Sequence, residues 1–129
     1  MSFTVKDVPG NGNCLFEAIG RTLGVPAADL RGLVVSFLKI PNQKLKNESL
    51  DAWITDLDDY ITKISRNGFW GGGIEMGVIA QMFHRKIIVY TKNQRRAEMI
   101  AEYIPDEDYF EAVSILYVGR NHYMQLIPN

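Results

Sequence analysis

Pro9-Gly10-Asn11-Gly12-Asn13-Cys14-Leu15-Phe16-Glu17-Ala18-Ile19 carries the only cysteine of a 129-residue chain and sets it where a loop becomes a helix. Gly10 and Gly12 let the backbone take positive φ angles, and Asn11 and Asn13 tolerate the same region, so a tight irregular turn is expected. Asn13 then reads as the N-cap of a helix from Cys14 to Leu23, with Leu15, Ile19 and Leu23 four apart on one apolar face and Gly24 as its end. In the first turn Cys14 lies among unpaired N–H groups at the positive end of the helix dipole, which predicts a thiol that ionises more readily than an ordinary cysteine. Backbone N–H groups of the Gly12-Asn13-Cys14 segment could also hold a developing oxyanion, as acyl transfer requires. The plain alternative is that a lone cysteine is a small buried hydrophobe and Asn-Gly only a turn.

A histidine answers from the far end of the chain. Ile115-Leu116-Tyr117-Val118-Gly119-Arg120-Asn121-His122-Tyr123-Met124-Gln125-Leu126-Ile127 reads as two apolar strands joined by a Gly-Arg-Asn turn, with His122 opening the second. One cysteine with one distant, firmly seated histidine is the pattern of a cysteine hydrolase. A strand histidine beside a turn, taken alone, is more often a surface residue.

Between these ends, Phe3-Thr4-Val5 suggests a short edge strand. A second helix follows Val25-Pro26 with Leu30, Leu33, Val34, Phe37 and Leu38 as its stripe, and Pro41 stops it. A longer helix is expected after the polar stretch 42–47, with Ser49 as cap and Leu50, Trp53, Ile54, Leu57, Ile61 and Ile64 on one side; Asp51, Asp56, Asp58 and Asp59 make its solvated face. Arg66-Asn67-Gly68 ends it. Trp70-Gly71-Gly72-Gly73 then marks a hard bend or a place where another backbone must come close. Glu75 opens a helix bearing Val78, Ile79, Met82 and Phe83, and His84 closes it as a C-terminal charge. Lys86 to Thr91 reads as a central strand covered on both faces, Glu98 to Ile104 as a weaker strand broken by Pro105 to Asp108. The pattern predicts an α+β fold, helices first and a small, mainly antiparallel sheet last.

Composition narrows the function classes. At 47% hydrophobic and 22% charged residues the chain is ordinary globular material, and 129 residues suit a single domain, 1–129. Fourteen basic and fifteen acidic residues leave a net charge of −1, so nothing electrostatic calls for nucleic acid. A single cysteine excludes an internal disulfide and fits a reducing, intracellular and cytoplasmic setting. Neither a signal peptide nor a membrane-spanning run is legible. Two histidines and one cysteine could hardly build a metal site, so no metal is expected.

Asn-Gly-Asn-Cys-Leu-Phe at 11–16, Trp-Gly-Gly-Gly-Ile-Glu at 70–75, the strand Ile87-Ile88-Val89-Tyr90 and the terminal Asn121-His122-Tyr123 together resemble the ovarian tumour (OTU) family of cysteine deubiquitinases. That resemblance implies Cys14 as nucleophile, His122 as general base, backbone N–H groups at Gly12 and Asn13 as oxyanion donors, and no cofactor. It implies ubiquitin, polyubiquitin or a ubiquitin-like modifier as partner, handled by a monomer, with Trp70, Gly71, Gly72 and Gly73 lining a narrow channel for its Gly-Gly tail. Two positions depart from the family pattern: Asn11 stands where an aspartate is common, and Met124 where many members carry an acidic or amide residue. Because Met124 cannot orient an imidazole, the side-chain carbonyl of Asn11 is the expected third member, with Asn121 as the other candidate. A catalytically weak ubiquitin-binding module of the same fold and a different thiol hydrolase are the rival functions.

Overall fold

Every long apolar run of the sequence ends up on one sheet and the helices laid against it. The computed structural model describes residues 2–107, 111–119 and 122–129. In chain order it contains β1 (Phe3–Lys6), α1 (Cys14–Leu23), α2 (Ala27–Leu38), β2 (Lys44–Leu45), β3 (Glu48–Ser49), α3 (Leu57–Ile64), α4 (Gly73–Phe83), β4 (Ile87–Asn93), β5 (Arg96–Tyr103), β6 (Val113–Val118) and β7 (His122–Pro128). Five strands form one sheet in the order β1-β7-β6-β4-β5, and β2 and β3 make a separate two-stranded hairpin. Only β4 and β6 run parallel within the larger sheet; the other three pairings are antiparallel. The α+β expectation therefore holds, with β1 on the edge as anticipated. α1 lies on β6 and β7, α4 reaches β5, and α2 packs between α1, α3 and α4.

The strand covered on both faces is β6, not β4. Val113 and Ile115 face the helices, while Ser114 and Leu116 are buried on the other side. Phe3 from β1 and Tyr90 from β4 lean together on that far side, ring centroids 5.1 Å apart, although β7 and β6 separate their strands. β4 instead alternates, with Ile87 and Val89 buried and Ile88 and Tyr90 half-buried, as a strand with one well-covered face should.

The single long helix expected after Ser49 is broken. Lys46 and Asn47 take left-handed φ angles of 56° and 63°, the backbone of a two-residue hairpin turn, so Glu48 and Ser49 are drawn into β3. Leu50–Ala52 makes one 3-10 turn, and the Trp53 indole folds back to donate to the Leu45 carbonyl at 3.0 Å. Asp56 then starts α3 afresh, its carboxylate accepting from the Asp59 N–H at 3.1 Å. The apolar spacing foretold the burial of Leu50, Ile54 and Ile64, with Leu57 and Ile61 partly buried against the core, although Trp53 stays 45% exposed. It did not foretell a continuous helix, because a hairpin turn and a strong N-cap compete with it. No helix among the described residues is long and apolar enough to cross a membrane.

Candidate active site

Helix α1 runs from Cys14 to Leu23 and ends at Gly24 in the left-handed region, φ 76°, as the sequence predicts. The loop before it is closed by its own bonds. Asn11 N–H donates to the Pro9 carbonyl at 2.9 Å, and Cys14 N–H to the Asn11 carbonyl at 3.1 Å. Asn13 N–H donates to the Asn11 side-chain oxygen at 2.9 Å. Neither Gly10 nor Gly12 takes the positive φ expected from the sequence. Gly12 is needed for space: a Cβ there would stand 1.4 Å from the Gly68 carbonyl oxygen.

Asn13 occupies the N-cap position, yet its side chain does not cap. Its oxygen accepts from Arg31 at 2.7 Å and from the Gly68 N–H at 3.0 Å, and its amide donates to Asn67 at 2.9 Å. The asparagine thus stitches the cysteine loop to the loop that precedes the glycine run.

The Cys14 side chain is fully buried, and burial pushes its thiol above the ordinary value, outweighing the backbone hydrogen bonds at Tyr123, Leu15 and Cys14 itself. The expectation of an easily ionised thiol is therefore overturned: desolvation exceeds the pull of the helix terminus. The Tyr123 backbone at the sulfur brings the start of β7 to the N-terminus of α1. His122, one residue earlier, is 20% exposed and puts Nε2 3.5 Å from an Asp7 carboxylate oxygen. Its Nδ1 is buried without a hydrogen-bond partner among the described residues and faces Gly10, whose Cβ, if present, would sit 3.7 Å away. A proton on Nε2 would point toward Asp7 and leave the lone pair on Nδ1.

Asn11 does not supply that partner. Its side-chain oxygen is committed to the Asn13 N–H, and Asp7 stands at the imidazole. Asp7 was not singled out in the sequence because its position depends on register: Lys6 pairs with Gln125, so the next residue of the chain runs alongside the beginning of β7. Asn121, the other candidate acceptor, lies outside the described residues, as do Arg120 of the turn and Asp108 of the break after β5.

The glycine loop divides by position. A Cβ on Gly71 would press on Leu15 at 2.8 Å and Phe16 at 3.2 Å, so this glycine lets the loop pack on α1. A Cβ on Gly73 would meet the Tyr103 hydroxyl at 3.1 Å, whereas one on Gly72 would have only a Glu75 oxygen, 4.0 Å away. Trp70 remains 43% exposed, so its indole is not consumed in packing the bend. Beside Gly73 lies an almost wholly apolar pocket of about 340 Å³, framed by Leu45, Trp53, Ile74, Gly77 and Tyr103. Glu75 is buried and accepts from the Gly72 N–H at 2.7 Å and from the Tyr60 hydroxyl. Burial raises its carboxyl above the usual range and raises the Tyr60 hydroxyl as well. Among the described residues no group of three metal-ligating side chains comes together.

Residues 9–124 match the family model described as OTU-like cysteine protease. OVARIAN TUMOR DOMAIN-containing deubiquitinating enzyme 3 of Arabidopsis thaliana is 30% identical over 94% of this chain and 66% of its own length. Enzyme 10 of the same series and plant is 32% identical over 69% of this chain and 25% of its own length. Proteins of Invertebrate iridescent virus 3 and Tipula iridescent virus match 98% of this chain at 23% and 27% identity, and the chain spans only 16% of the length of each. Among solved structures, the viral OTU domain protease from Qalyub virus has the same fold, with a TM-score of 0.80 and 19% identity over 98% of this chain and 85% of that one. An ovarian tumour domain solved in complex with ubiquitin gives a TM-score of 0.73 and 28% identity, covering 96% of this chain and 69% of the other.

Proposed function

The chain belongs to the OTU-like cysteine protease family, and from that premise we propose that it is a deubiquitinase, cleaving the bond after the C-terminal glycine of ubiquitin with Cys14 as nucleophile. One observation carries this reading: a buried thiol beside the first residues of β7, and an imidazole there with Asp7 3.5 Å from one nitrogen and, among the described residues, no hydrogen-bond partner on the other. His122 Nδ1 takes the proton from the Cys14 sulfur, and the sulfur attacks the carbonyl carbon. Asp7 steadies the imidazolium that forms. The proton then passes from His122 to the departing lysine amine, leaving a thioester on Cys14. Water, deprotonated by the same imidazole, releases the ubiquitin carboxylate and restores the thiol.

Burial favours the uncharged form of the Cys14 thiol in the resting site. The negative charge that develops on the substrate carbonyl oxygen as the sulfur attacks is left to the oxyanion donors. Within the loop, Asn13 N–H is engaged by Asn11, and Cys14 N–H by the Asn11 carbonyl. Gly12 N–H makes no hydrogen bond among the described residues, and we assign it as the leading oxyanion donor, ahead of Asn13. Gly72, with open space above its α-carbon, and the exposed Trp70 next to it are the proposed floor and gate for the tail; Gly71 and Gly73 support them. A thiol nucleophile suits a reducing, intracellular setting.

Hydrolysis of a fluorogenic ubiquitin C-terminal amide tests the assignment. Cys14→Ala should abolish turnover and His122→Ala should lower it by about 10²–10⁴-fold. His84, exposed at the left-handed C-terminus of α4, should be replaceable by alanine without loss. Retained activity in Cys14→Ala would end the proposal.

A further inference from the structure

Arg31 is a charged residue on the apolar stripe of α2, and it is 5% exposed. It forms no ion pair among the described residues. Its guanidinium serves four acceptors from three segments of the chain. Nη1 donates to the Ile64 carbonyl at 2.9 Å at the end of α3. Nη2 is shared by the Phe69 carbonyl at 2.7 Å, the Asn13 side-chain oxygen at 2.7 Å and the Gly12 carbonyl at 3.2 Å. The Cζ atom lies 4.5 Å from the centre of the Phe16 ring, which covers the group from the α1 side.

We propose that Arg31 is a positioning residue for catalysis, holding the Gly12-Asn13 peptide of the nucleophile loop in register with the Phe69-Trp70 segment that leads into the glycine run. The proposal rests on the Cys14–His122 reading above and adds a residue that touches neither substrate nor sulfur. Gly12 must be glycine because the Gly68 carbonyl fills the place of a side chain. A glycine has no side chain with which to fix its own peptide planes. The plane that follows it is instead held at both ends, its carbonyl by Arg31 and its N–H by the Asn11 side chain. Gly12 N–H, in the peptide just before that plane, has no hydrogen-bond partner among the described residues, and the restraint on its neighbour limits how far the loop can relax when charge develops on a bound carbonyl. An arginine is suited to this and a lysine is not: four acceptors spread over two nitrogens need a planar fork, and an ammonium offers its donors from a single point.

Arg31→Lys is the test, because it keeps the charge and the apolar stem. Melting temperature, kcat and KM on a fluorogenic ubiquitin amide, and the pH profile of Cys14 alkylation by iodoacetamide should be measured on wild type and variant, well below the melting temperature. The expected result is a fall in kcat of about tenfold to a hundredfold, with KM within about threefold and an alkylation profile like that of wild type. A folded Arg31→Lys with wild-type kcat would overturn the proposal, as would a loss confined to KM. Should Arg31→Lys fail to fold, Asn13→Leu removes one acceptor of the same strut and should show the same kcat loss, while Asn13→Asp, which keeps the acceptor, should recover it. Unchanged kcat in Asn13→Leu overturns the proposal equally. Alkylation needs no ubiquitin, so a wild type that alkylates at Cys14 but does not hydrolyse the amide would refute the deubiquitinase reading and not the arrangement of the loop.

Discussion

Gly12 and Gly72 belong to two loops that meet beside the N-terminal end of α1, and the space beyond their α-carbons is opposite in kind. Behind Gly12 stands protein backbone, the Gly68 carbonyl, at a distance no side chain could share. Beyond Gly72 there is almost nothing, only a Glu75 oxygen at 4.0 Å. The first glycine is required by the protein's own packing. The second is not, and under the proposed function its bareness leaves room for the substrate tail. Glycine in a sequence therefore has two meanings here, and substitution should separate them.

The largest effect belongs to Gly12→Ala. A methyl group aimed at a carbonyl 1.4 Å away forces the two loops apart, which should cost about 3 kcal/mol or more. Thermal or denaturant unfolding reads this, and a variant as stable as wild type would break the comparison. Gly71→Ala should come next, at about 1–3 kcal/mol, because the atoms it meets are the side chains of Leu15 and Phe16, which can yield a little. Gly72→Asn should hardly change stability, within about 0.5 kcal/mol, since asparagine is a good N-cap for α4. Its turnover of ubiquitin substrates should nevertheless drop about tenfold or more, because a tail that slides past Gly72 is displaced from the reacting geometry. Full activity in a folded Gly72→Asn would remove the channel from the proposal.

Part of this was legible from residues alone. The ends of α1, the two apolar strands around His122 and the bend at Trp70 to Gly73 follow from caps, alternation and glycine runs, all of which are local. Asp7 was not legible, since nothing local ties it to His122; the tie is the β1–β7 register that sets Lys6 opposite Gln125. Arg31 carries a local signal in the sequence. Positions 31, 35 and 38 fall on the same side of α2 as the apolar stripe, and a charged residue there must find partners inside the protein. The long helix after Ser49 failed for the opposite reason: its stripe was real, but the turn at Lys46-Asn47 and the cap at Asp56 outcompeted helical continuity. The expected thiol ionisation failed because the sequence shows the helix terminus and not the depth at which the sulfur is buried.

The smallest effect concerns the residue beneath Gly72. Burial holds the Glu75 carboxyl above its usual value of 4.5, against the hydrogen bonds from Tyr60 and Gly72. A raised folded-state value means that this group's contribution to stability is full below about 4.5 and is lost as pH rises through the folded value. Glu75→Gln, neutral at every pH and able to keep the bond to Gly72 N–H, lacks that dependence. The stability difference between wild type and Glu75→Gln should therefore move against wild type from acid to neutral pH. Melting curves across that range check it, and a flat difference would show that the carboxyl is not raised.

Reaction with a ubiquitin probe bearing a C-terminal propargyl group, followed by intact mass and peptide mapping, tests the central claim most directly. The account predicts one ubiquitin per chain, attached at Cys14, absent in Cys14→Ala and formed about a hundredfold or more slowly in His122→Ala. A folded wild-type protein that gains no ubiquitin, or an adduct that survives Cys14→Ala, would contradict it.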